Sequence, residues 1–250
     1  MEPLALIFLT LAGLCVGSFT NVLIFRIPRG EEFVRTPSHC MSCGHRLSWY
    51  ENIPLVSFLL QGGKCRHCGV RLSRQYPAVE ALTGIMWLLT GLLFWGDWVR
   101  LALYCALFPL LAAVAVIDWR TFTIPDGLNL AIGALGAVQL VLDRGRWPLY
   151  TVGMVLVSGF FLLLWALTRG RGLGLGDVKL MAAAGLLLGW QRILLAMLLG
   201  CVLGAVIHSL RMRRGAGHKL AFGPYLAAGI WIAALFGDGI VSAYAGLLGL

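Results

Sequence analysis

Apolar residues run through this chain in blocks. Six short polar interruptions and one long one leave eight apolar segments, at about 4–25, 78–95, 99–117, 127–142, 149–167, 177–189, 193–210 and 220–236. Such blocks lack the one-sided stripe of a soluble amphipathic helix, and many approach the roughly 20 residues that carry a helix across a hydrocarbon core. The shorter ones are expected to stand straight, or to end in protein rather than lipid. The tail from Gly239 to Leu250 is too short to cross, and is expected to lie in the interface or cap the bundle. Met1-Glu2-Pro3 places no basic stretch before the first apolar run, so that run is read as a spanning helix and not a cleaved leader. The pattern predicts an all-α polytopic membrane protein of about eight transmembrane helices. It divides into a first transmembrane helix over 1–25, a cytoplasmic loop domain over 26–76, and a helical bundle over 77–250.

Composition agrees: 59% of residues are hydrophobic and only 12% are charged, against roughly 25% charged in soluble domains. The net charge of +9 then reports on orientation. With the N-terminus outside, the inside loops hold eight basic residues between Arg26 and Arg74, together with Arg120, Arg169, Arg171, Lys179, Arg211, Arg213, Arg214 and Lys219. Only Arg100, Arg144, Arg146 and Arg192 remain outside. Basic residues concentrate on the cytoplasmic side of membrane proteins, so the 26–76 loop is cytoplasmic, as is the loop around Gly215, and the loop around Gly145 is not. A nucleic-acid partner is excluded on the same reasoning, and anionic lipid is the partner expected for these basic edges.

This threading brings two distant acids to one side. Asp118 ends the third segment in VAVIDWR, and Asp177 opens the sixth in GLGLGDVKL. Ionisable groups at membrane depth mark function by default. Two neighbouring carboxyl groups can share a proton, one acting as base on water while the other acts as acid toward a carbonyl. The plain alternative is that each caps a helix or pairs with Arg120 or Lys179. Gly174 and Gly176 would let an extended backbone approach Asp177. Asp126, after Pro125, reads as a helix N-cap, and Glu80 as a packing or ion-pair residue. His208 reads as a satisfied helix-end histidine. Asn21 is either hydrogen-bond glue between helices or a substrate contact.

CMSCGHRLS (40–48) and CRHCGVRLS (65–73) repeat one pattern, C-x-x-C-G-x-R-L-S. Four cysteines so spaced suit a tetrahedral zinc ion held by Cys40, Cys43, Cys65 and Cys68. Gly44 and Gly69 follow each second cysteine, where a knuckle turn needs positive φ. A loop of about fifty residues has too small a core to fold alone, and metal binding would supply what is missing. His39, His45 and His67 are spare ligands. Cys15, Cys105 and Cys201 sit inside apolar segments and read as small core residues.

Together these motifs resemble the type IV prepilin peptidases, bacterial aspartic membrane proteases that also serve type II secretion. The resemblance runs in order through GSFTNVLIFRIP (17–28), the paired C-x-x-C, WYENIPLVS (49–57), YPAVEALTG (76–84), IDWRTFTIPD (117–126), GLGLGDVKL (172–180) and FGPYLAAG (222–229). It implies that Asp118 and Asp177 are the catalytic pair, with Gly174, Gly176 and Lys179 in support. Asp126 falls to a lesser place, and the four cysteines form a cytoplasmic zinc domain. It further implies an enzyme of the bacterial inner membrane that cuts prepilins and pseudopilins after a glycine on the cytoplasmic side. Many relatives also methylate the new N-terminus with S-adenosylmethionine, and no residues for that cofactor can be read here. Peptidase activity alone is the alternative within the family. Outside it stand a transporter, which would place its polar residues near the midplane, and a scaffold. The paired C-x-x-C argues against a preflagellin-type G-x-G-D peptidase.

Overall fold

The computed structural model describes residues 3–213, 219–247 and 249. Met1, Glu2, Arg214, Gly215 and Leu250, on which parts of the sequence reading fall, lie outside them. Nine helices are described: α1 (Pro3–Arg26), α2 (Val56–Leu60), α3 (Gln75–Phe94), α4 (Trp98–Thr121), α5 (Asp126–Leu142), α6 (Trp147–Thr168), α7 (Leu175–Leu188), α8 (Trp190–Arg213) and α9 (Gly223–Leu247). There is no β-strand among the described residues, only two isolated antiparallel bridges, His39 with Arg46 and Lys64 with Arg71.

Each apolar segment is helical, but eight crossings are not borne out. Six helices among the described residues are long and apolar enough to span a membrane: α1, α3, α4, α6, α8 and α9. The 17 residues of α5 and the 14 of α7 rise only about 26 and 21 Å at 1.5 Å per residue, short of a core of roughly 30 Å. Helix α7 is shielded from lipid instead, with Leu180, Met181 and Ala184 fully buried. The tail reading also needs correction. Residues 239–247 are not a separate element but continue α9 without a break, mostly exposed. Gly237 leaves room for Arg192, since an added Cβ would stand 2.8 Å from Arg192 Cγ, and Asp238 pairs with Arg192 at 3.5 Å. These contacts with α8 override the low helix propensity of Gly-Asp-Gly. Of the three apolar-segment cysteines only Cys105 is buried; Cys15 and Cys201 are exposed, because the outside of a membrane helix is as apolar as its inside.

The chain forms two compact units, 1–109 and 110–250, divided within α4 at Pro109. In the first, α1 lies against α3. Gly17 permits the approach, for a Cβ there would stand 2.7 Å from Glu80 Cα. Asn21 Nδ2 donates to the Tyr76 carbonyl at 3.1 Å, and Gln75 Nε2 donates to Asn21 Oδ1 at 3.2 Å, so Asn21 is the inter-helix tie. Arg26, buried at the end of α1, donates to the carbonyls of Glu32, Thr36 and Pro37 at 3.1, 2.7 and 2.9 Å. One guanidinium thereby folds the loop that leads into the first cysteine pair. In the second unit α7 is central, packed by α5, α6, α8 and α9.

Candidate active site and metal centre

The two cysteine repeats fold alike because they are alike. Cys40 N–H donates to His45 O and Gly44 N–H to Cys40 O, both at 2.9 Å; Cys65 to Val70 and Gly69 to Cys65 match them at 2.9 Å. Gly44 and Gly69 have φ of 70° and 69°, a conformation that strains a side-chain-bearing residue. The four sulfurs lie within 4.8 Å of one another, and Cys40 Sγ is 3.9 Å from Cys68 Sγ. A tetrahedral zinc with bonds near 2.3 Å requires sulfurs about 3.8 Å apart, so the donor set fits the ion. Burial opposes ionisation of Cys40, but the amides of Cys43 and Ser42 and the neighbouring thiols hold its pKa down to about 7. The His45 amide favours the Cys43 thiolate, yet burial and the other sulfurs push that thiol up to about 11. Four thiols so close cannot all ionise without a cation among them. Two of the spare histidines, His45 and His67, stack with ring centroids 3.5 Å apart.

Asp118 and Asp177 both belong to the second unit. Asp118 lies one turn from the end of α4 and is 5% exposed. Its Oδ2 accepts the N–H of Gly223, the first residue of α9, at 2.9 Å. Asp177 is the third residue of α7 and is 7% exposed. Its Oδ2 accepts the Gly174 N–H at 3.2 Å, while the Asp177 N–H returns a bond to Gly174 O. Each carboxyl group therefore sits on the amide-rich start of a helix. Asp118 is close enough to act on Asp177 electrostatically. Neither has a basic partner among the described residues: Lys179 bonds Asp126 at 2.7 Å, and both of those side chains are largely exposed. Capping, the plain alternative, is thus real for Asp177, while the ion pairs with Arg120 or Lys179 are absent.

The glycines create these close contacts. A Cβ on Gly174 would stand 3.3 Å from Asp177 Oδ2, and one on Gly176 would stand 3.0 Å from Ile124 Cβ. On Gly223 it would lie 2.8 Å from Asp118 Oδ2 and 3.0 Å from Asp118 Cβ and Cγ. Asp126 is the first residue of α5, one place past the cap, which is Pro125. Glu80 makes no ion pair among the described residues and accepts the Leu55 N–H at 2.8 Å. His208 Nδ1 is buried with no hydrogen-bond partner among the described residues.

Sequence reasoning passed over Gly223 and Asn129. The Gly-Pro pair at 223–224 signals a helix start, but nothing in it names Asp118 as its acceptor. Asn129, buried in α5, donates weakly to Gly176 O at 3.4 Å, and its Oδ1 has no partner. A polar residue in an apolar helix was the available signal.

Asp118 and Asp177 are thus two buried carboxyl groups on different helices, each accepting a backbone amide and, among the described residues, neither paired with a base. Family models match two stretches of the chain. Residues 11–94 match the bacterial peptidase A24 N-terminal domain, and residues 105–209 match the type IV leader peptidase family. The prepilin leader peptidase/N-methyltransferase of Stutzerimonas stutzeri is 35% identical over 97% of this chain and 95% of its own length. Those of Pseudomonas aeruginosa (35%; 97% and 94%) and Pseudomonas putida (35%; 100% and 97%) are similarly close. No solved structure matches the chain. The chain belongs to the type IV leader peptidase family.

Proposed function

We propose that this protein is a prepilin leader peptidase and N-methyltransferase of the bacterial inner membrane. It cuts prepilins and pseudopilins after the leader glycine on the cytoplasmic side, then methylates the new N-terminus with S-adenosylmethionine. The observation that carries the peptidase reading is the pairing of Asp118 and Asp177, buried and without a cationic partner among the described residues. A basic partner would lock a carboxylate in its charged form, whereas a cation-free pair can pass one proton back and forth. In the proposed reaction the ionised member takes a proton from water, whose oxygen bonds the scissile carbonyl carbon. The protonated member donates to the carbonyl oxygen. Collapse then breaks the C–N bond as the amine leaves with a proton from the pair.

Gly174 and Gly176 serve by letting the Asp177 carboxylate fold back onto the turn and by seating Ile124 beneath it. Lys179 ties α7 to the start of α5 through Asp126. The short helices complete the bundle with ends sheltered by protein. Residues 26–76 form the zinc domain, and zinc is structural, fixing the two knuckles against each other. The N-terminus lies outside, and both domain and dyad face the cytoplasm, where the substrate's basic leader stays. Incubation of the purified protein with a prepilin, with and without S-adenosylmethionine, followed by intact mass, tests this directly. Loss of the leader in both reactions and a further methyl only with the donor is expected. An uncut substrate would refute the peptidase reading.

A further inference from the structure

A cavity of about 310 Å³ is lined wholly by residues of the first unit. Its walls are the end of α1, the start of α3 and both cysteine knuckles, with Phe25, Cys40, Cys65, Tyr76 and Glu80 among them. Phe25 and Tyr76 stack at 5.1 Å between centroids. Glu80 is 7% exposed and has no cationic partner among the described residues. The Leu55 N–H and the Ser18 hydroxyl are its donors. Arg71 also lines the cavity and makes no ion pair among the described residues. A cavity of this size suits a small molecule. Arg26 and Arg29 also line the cavity, but Arg26 is spent on backbone carbonyls and Arg29 pairs with Glu31. A buried carboxyl group with no ion-pair partner among the described residues, beside aromatic faces, therefore favours a ligand that carries positive charge and a flat ring.

We propose that this cavity binds the methyl donor, an adenosyl sulfonium, with Glu80 as counter-charge to the sulfonium. Phe25 and Tyr76 form the aromatic wall, and Arg71 is the partner of the donor's carboxylate. The assignment rests on the N-methyltransferase reading given above. The bound donor supplies a methyl on positively charged sulfur, which an unprotonated amine takes as the C–S electrons return to sulfur and the surplus amine proton leaves to water. The resulting thioether is neutral at sulfur, so Glu80 distinguishes donor from product. Cys40 and Cys65 share this wall, so loss of the metal site would disturb the cavity, whereas filling the cavity need not disturb the metal.

Isothermal titration of the zinc-loaded, full-length protein with S-adenosylmethionine and with S-adenosylhomocysteine tests the assignment. Glu80→Gln keeps an oxygen for the Leu55 N–H but removes the charge. It should weaken the sulfonium at least tenfold and the thioether less than threefold. Val22→Trp, on the cavity wall, should abolish binding of both, with zinc content unchanged in either variant. Equal weakening of the two molecules by Glu80→Gln, or binding that survives Val22→Trp, overturns the proposal. If methylation persists alongside such a result, the N-methyltransferase reading stands and only the cavity is wrong. If the wild-type protein neither binds nor methylates, both are wrong.

Discussion

Gly223→Ala probes the dyad without touching either carboxyl group. The new Cβ would lie 2.8 Å from Asp118 Oδ2 and 3.0 Å from its Cβ and Cγ, where ordinary contact begins near 3.4 Å. Relief needs a displacement of about 0.6 Å, and the 5% exposure of Asp118 leaves no room for the side chain to swing aside. Overpacking of this kind costs about 1–3 kcal/mol, which a bundle of this size should survive. Catalysis is less forgiving, since misplacement by about 1 Å can cost on the order of 100-fold. Single-turnover cleavage of a fluorescent prepilin peptide should therefore slow by roughly 10- to 100-fold, while KM changes little. Thermal unfolding in the same detergent should fall by only a few degrees. Cleavage at the wild-type rate by folded Gly223→Ala would refute the claim that the Asp118–Gly223 contact sets the geometry of the site.

Three further outcomes are expected. Asp118→Asn and Asp177→Asn should each reduce leader cleavage by about 100-fold or more, whereas Asp126→Asn, which loses only an exposed pair with Lys179 worth up to about 1 kcal/mol, should stay active; a dyad variant within tenfold of wild type contradicts the mechanism. A cysteine placed at Gly145 should react with an impermeant thiol reagent added outside cells, and one at Gly172 should not; the reverse pattern would put the dyad on the wrong face. Metal analysis should find one zinc per chain, lost on replacing any of Cys40, Cys43, Cys65 or Cys68 by serine, with donor binding lost alongside it and cleavage only reduced; zinc retained after two such replacements excludes the four-thiolate site.

The sequence made the knuckles legible almost to the atom, because their hydrogen bonds are local and the repeat C-x-x-C-G-x-R-L-S writes them twice. The dyad was legible only as two acids on one side. Which backbone holds them depends on contacts between Asp118 and Gly223, 105 residues apart, and no spacing encodes such a contact. The helix count failed for a related reason. Hydropathy measures the apolar character of α7 but not what covers it, and a helix buried in protein needs no particular length. Cys15, Cys201 and the end of α9 were misread likewise. In a bilayer the periodicity that separates core from surface is weak, since both faces are apolar. Arg26 and Glu80 were counted among loop charges and packing acids, yet both are buried, one satisfied by carbonyls and the other by an amide.

The manner of holding the dyad bears on what it can do. Asp118 and Asp177 each spend one oxygen, Oδ2, on a single amide at a helix start, and no described residue of the protein bonds either Oδ1. A purely structural cap needs no second carboxyl group within electrostatic reach, and a structural ion pair needs a cation, which no described residue supplies. Burial penalises two negative charges in one place, while the amides at the two helix starts favour charge on either. These opposing influences act on both members, so one proton shared by the pair answers both. A pair holding one proton supplies an acid and a base at once, the two roles that trade places within one turnover.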